Sequence, residues 1–69
     1  MRLKIVVLNN SAGVFTEYVD VPSVIAFFTR TGRWKSFSVI AIKGNKSLYF
    51  EKIDPLTLAR DLNNFQTQP

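Results

Sequence analysis

Apolar positions fall into four short runs of strand type and two of helical type. Leu3 to Leu8 reads as a strand, Asn9-Asn10-Ser11-Ala12-Gly13 as a turn, and Val14 to Val19 as the returning strand. Asp20-Val21-Pro22-Ser23 is a helix start, because Asp accepts from free N–H groups and Pro suits a first turn. Val24, Ile25, Phe27 and Phe28 then make a short, very apolar helix, and Thr31-Gly32 ends it with a left-handed glycine cap.

Residues 35–53 read as a β-hairpin around Gly44-Asn45, flanked by the β-branched and aromatic residues Val39, Ile40, Ile42, Tyr49, Phe50 and Ile53. A two-residue turn sets Lys43 opposite Lys46, Ala41 opposite Leu48, Val39 opposite Phe50 and Phe37 opposite Lys52. Asp54-Pro55 starts a second helix, with Leu58, Ala59, Leu62 and Phe65 on one stripe.

The order predicted is strand, strand, helix, strand, strand, helix. The halves match without gaps: Ile5-Val6-Val7-Leu8 with Val39-Ile40-Ala41-Ile42, Glu17-Tyr18-Val19-Asp20 with Glu51-Lys52-Ile53-Asp54, and Val24, Ile25 and Phe28 with Leu58, Ala59 and Leu62. The expectation is an α+β fold made of a doubled ββα unit (ββαββα). Its four-stranded antiparallel sheet carries two short helices on one face. Residues 1–65 form one compact domain and residues 66–69 a flexible tail.

Alternation assigns Leu3, Ile5, Val7, Val14, Phe37, Val39, Ala41, Leu48 and Phe50 to the helix side. The outward set holds Lys4, Glu17, Ser36, Ser38 and Glu51, but also Val6, Leu8, Phe15, Val19, Ile40, Ile42, Tyr49 and Ile53. So much apolar surface in one patch calls for a cover. Phe15, Ile40, Ile42 and Tyr49 are the candidate partner or dimer interface. A chain of 69 residues without cysteine has no staple, which favours self-association as a homodimer.

Composition narrows the chemistry. With neither His nor Cys, Cys–His and Ser–His–Asp catalysis are excluded and a metal or other cofactor is not expected. Glu17/Glu51 and Asp20/Asp54 are better read as strand-end and capping residues than as an acid–base pair, so no enzyme is expected. Cysteine-free composition fits a cytoplasmic protein. Ile5-Val6-Val7-Leu8, following Met1-Arg2-Leu3-Lys4 and broken at Asn9-Asn10, is too short an apolar run for a signal peptide, and no run reaches a membrane-spanning length.

The formal charge of +4 favours an anionic partner. No acidic residue lies between Val21 and Phe50, where Arg30, Arg33, Lys35, Lys43 and Lys46 fall. Arg30-Thr31-Gly32-Arg33-Trp34-Lys35 reads as a loop that tracks phosphate while Trp34 stacks on a base, although Trp34 also reads as a core plug. Lys43 and Lys46 form a second cationic point at a hairpin tip, or simply a solvated edge. The function expected is nucleic-acid binding of low sequence specificity through Arg30, Arg33, Trp34, Lys35, Lys43 and Lys46. The alternatives are an adaptor or inhibitor that docks on another protein through the apolar sheet face, and a self-assembling structural subunit.

Overall fold

The computed structural model describes residues 2–68. It is an α+β fold: strands β1 (Leu3–Asn9) and β2 (Val14–Tyr18), helix α1 (Val21–Thr31), strands β3 (Phe37–Lys43) and β4 (Lys46–Glu51), and helix α2 (Pro55–Thr67). A 3-10 turn over Trp34–Ser36 joins α1 to β3. The four strands form one antiparallel sheet in the order β2-β1-β3-β4, so the two hairpins meet along β1 and β3.

Local chemistry sets the hairpins. At the first turn the Asn9 carboxamide oxygen accepts from the N–H groups of Ser11 (3.0 Å) and Ala12 (3.2 Å). The Asn9 carbonyl takes the Gly13 N–H at 2.8 Å, with Gly13 at φ 69°. At the second turn only Gly44 of the central pair has positive φ, 64°, the pattern of a type II′ turn. The expected register follows: Lys43 faces Lys46, Ala41 faces Leu48 and Val39 faces Phe50.

The ladder stops at Ser38–Glu51, so the expected pairing of Phe37 with Lys52 does not form. Lys52 takes the left-handed conformation (φ 55°), which swings the chain out of the strand. Ile53 is thereby carried to the core rather than the outward face. Ser36 likewise belongs to the 3-10 turn and Val19 lies beyond the end of β2.

Both helices are capped as the sequence implies. Ser23 N–H donates to the Asp20 carboxylate at 2.8 Å, and Thr57 N–H donates to that of Asp54 at 3.0 Å. Gly32 closes α1 in the left-handed region at φ 65°. Helix α2 runs on through Gln66 and Thr67, with Gln68 as its C-cap. That places helix where the sequence suggests a tail over 66–69; Pro69 lies outside the described residues.

One core joins the inner sheet face (Ile5, Val7, Phe37, Val39, Ala41) to Val21, Val24 and Phe28 of α1 and Leu58, Leu62 and Phe65 of α2. Val14 and Leu48, on the two edge strands, share that face but stay exposed. Among the described residues, no helix is long and apolar enough to cross a membrane.

Candidate functional site

The last turn of α1 carries Arg30, where a cation complements the helix dipole. The helix closes on the Phe28 carbonyl, which accepts from the Gly32 N–H at 3.1 Å and from the Thr31 hydroxyl at 3.3 Å. Arg33 follows, and its carbonyl takes the Ser36 N–H at 3.0 Å to start the 3-10 turn. Asn10 N–H donates to the Ser36 carbonyl, also at 3.0 Å, pinning the turn to the end of β1. The segment from Arg30 to Lys35 is thus helix end plus 3-10 turn, not a loose loop.

These elements frame a shallow, open recess of 430 Å³ lined by Asn9, Phe27, Thr31, Arg33 and Phe37. Its floor is aromatic: Phe27 and Phe37 meet edge to face with centroids 5.3 Å apart. The Arg30 guanidinium lies 5.8 Å from the Phe27 ring centre, and the Lys35 ammonium 5.5 Å from that of Trp34. Trp34 is half-buried and packs against the core, so it plugs the turn and shows only part of its ring. Arg30, Arg33 and Lys35 are exposed. Arg33 lines the recess and Arg30 lies over its Phe27, so the arrangement offers an anion two cations beside an apolar floor, with Lys35 against Trp34 in the adjoining turn.

The other two basic residues stand elsewhere. Lys43 and Lys46 pair across the β3–β4 turn, at the opposite end of β3 from Phe37. With seven residues in β3, the two cationic points are about 20 Å apart. Lys43 also points inward, where its ammonium donates to the carbonyls of Gln66 (2.5 Å) and Gln68 at the end of α2.

The apolar interface candidates share the outward face, as alternation implies. Phe15 (63% exposed), Tyr49 (58%) and Ile40 (37%) are open to solvent, and Ile42 is half-buried. Beside them lies a polar knot that alternation does not reveal. Ser38, only 4% exposed, receives hydrogen bonds from the Asn10 carboxamide (3.0 Å) and the Tyr49 hydroxyl (3.2 Å).

Asp20, Asp54 and Glu17 are engaged structurally. Asp20 and Asp54 are held below the ordinary Asp range by hydrogen bonds from Ser23 and Thr57, the residues they cap. Glu17 pairs with Lys4 at 3.0 Å. Among the described residues, no three His, Cys, Asp or Glu side chains group as metal ligands.

Sequence reasoning passed over Asn9, Phe27 and Thr31 of the recess. In the sequence Phe27 reads as part of an apolar helix and Asn9 as part of a turn; the pairing of Asn9 with Phe37 across β1 and β3 and the packing of Phe27 on Phe37 bring them together. Comparison with known proteins is negative: no family model, no curated protein and no solved structure matches the chain.

Proposed function

We propose that the protein binds nucleic acid with little sequence specificity, engaging phosphate through Arg30, Arg33 and Lys35 at one end of the sheet. The observation that carries this reading is a recess lined by Phe27, Phe37 and the exposed Arg33, with exposed Arg30 over Phe27 and exposed Lys35 in the turn that follows. Cations that neutralise phosphate release counterions, and an aromatic floor accepts the face or edge of an unpaired base. Trp34 contributes its open edge, and Lys46 with Lys43 forms a second, weaker contact at the far end. The role is binding, without catalysis, in a cytoplasmic setting. The test is a titration with single- and double-stranded oligonucleotides at two salt concentrations. Binding that weakens steeply with salt supports the reading; no binding at low salt ends it.

The same proposal treats the chain as a doubled ββα unit acting as a homodimer. Val6 and Ile40, matched when the halves are compared, are direct partners across β1 and β3. The caps repeat as well, Asp20 with Ser23 and Asp54 with Thr57.

A second reading, docking on another protein as an adaptor or inhibitor, is favoured by the exposure of Phe15, Ile40 and Tyr49. A partner that survives nuclease and high salt, and is lost on Ile40→Asp, supports it over the first.

A further inference from the structure

We propose that the recess at the end of α1 holds one unpaired base bearing a carbonyl where adenine and cytosine bear an amino group, and that Asn9 selects it. The inference rests on the nucleic-acid reading above and adds a chemical preference to it: thymine, uracil or guanine in a single strand.

Asn9 ends β1 opposite Phe37 of β3, and its carboxamide has one orientation. Its oxygen accepts from the N–H groups of both Ser11 and Ala12, and the NH2 end could not face two donors. That NH2 group has no partner among the described residues, so donors are what the Asn9 side chain offers to the recess it lines. The Thr31 hydroxyl is engaged within the chain. It donates to the Phe28 carbonyl at 3.3 Å and accepts from the Arg33 N–H at 3.4 Å. The Arg33 guanidinium is exposed, has no partner among the described residues, and carries donors alone. Phe27 and Phe37 add rings without a hydrogen-bonding group. The side-chain polar groups left to a ligand are therefore all donors, set beside aromatic carbon.

A base suits that lining when its free edge accepts. Thymine and uracil carry a carbonyl at C4, and guanine at C6, where cytosine and adenine carry amino groups. An amino group against the Asn9 NH2 sets donor on donor and leaves both without a bond. In a duplex that carbonyl is paired and the ring stacked, so an unpaired base is the one that reaches the floor. A recess of 430 Å³ is small among ligand pockets and suits one nucleotide rather than a run of them. Arg33, with Arg30 over Phe27, is placed to meet the adjoining phosphates.

The test is fluorescence anisotropy at low salt with labelled single-stranded octamers of deoxyuridine and of deoxycytidine. These rings match in size and differ at C4 and the neighbouring N3. The wild type should bind the deoxyuridine strand about fivefold more tightly, the worth of one hydrogen bond. Uridine and cytidine octamers repeat the comparison in RNA, and the larger preference identifies the sugar the site takes. Asn9→Asp keeps the oxygen that holds the turn and exchanges the NH2 for a second oxygen. It should weaken binding to both strands and cancel or reverse the preference, because a carboxylate accepts from the cytosine amino group. Asn9→Ser, uncharged and still able to accept from the turn, should level the two affinities. Circular dichroism confirms that each variant is folded. Equal wild-type affinity for the two bases, or a preference that survives both substitutions, overturns the inference while leaving nucleic-acid binding in place. No binding of any strand removes the nucleic-acid reading, and this inference with it.

Discussion

The Lys43 ammonium donates to the Gln66 carbonyl at 2.5 Å, so a residue at the tip of one hairpin closes the last turn of α2. A cation there satisfies carbonyls that have no partner within the helix and offsets the negative end of its dipole. Lys43→Met, which keeps the stem and removes the charge, should cost about 0.5 kcal/mol. In a chain this small that is a drop in Tm of roughly 2–4 °C. Hydrogen exchange should quicken at Asn64 to Thr67 more than at the sheet. An unchanged exchange pattern there would remove this capping role.

At the other end of β3 the expected losses concern affinity. Arg33→Ala should flatten the dependence of oligonucleotide binding on salt by about one counterion. Arg30→Ala with Arg33→Ala should weaken binding more than Lys46→Ala, since Arg33 lines the recess, Arg30 lies over its Phe27, and Lys46 lies about 20 Å away. Equal losses from both ends would point to diffuse attraction over the whole surface.

The polar knot under the outward face makes a stability prediction. Ser38→Ala removes the hydroxyl that accepts from Asn10 and Tyr49, and should cost about 1–2 kcal/mol in urea unfolding. Tyr49→Phe, at a more exposed ring, should cost less. The reverse ranking would mean that the hydroxyl of Tyr49, not that of Ser38, holds the knot.

Acid should loosen both helix starts. Asp20 and Asp54 have folded pKa values below their unfolded ones, so their contribution is present in full above the ordinary Asp value of about 3.9. It is lost as pH falls through the lower folded values. Asn at a cap accepts the same backbone N–H without titrating. Asp20→Asn with Asp54→Asn should therefore give a melting temperature that falls less between pH 5 and pH 2 than the wild type's, a comparison made in about 0.1 M salt to mute surface charge.

Core truncation separates buried from exposed leucine on one helix. Leu58, fully buried, should cost about 2–5 kcal/mol on replacement by Ala, enough to unfold much of so small a domain. Leu56, 83% exposed two residues earlier, should be close to neutral. Similar costs at both would mean that Leu56 is covered in solution, and would locate a further contact surface.

The helix caps, the hairpin register and the two sheet faces, all carried by neighbours in the chain, were legible from residue order, whereas the left-handed turn at Lys52 and the 3-10 turn at Trp34–Ser36 were not. Asp20 and Asp54 start helices because a short carboxylate reaches an N–H three residues on. Gly32 ends one because positive φ costs it little, and Gly44-Asn45 forces a register in which Val39 faces Phe50. Alternation likewise separated Ile5, Val7 and Val39 from Val6 and Ile40. Contacts between residues far apart in sequence were decided only by folding. The pairing of β1 with β3 depends on how two hairpins bury one face against two helices, and it alone brings Asn10 to Ser38 and Asn9 to Phe37. The same step divided the basic residues. Charges that look continuous along the line from Arg30 to Lys46 lie at opposite ends of a strand, because an extended segment advances about 3.3 Å per residue and carries its ends apart.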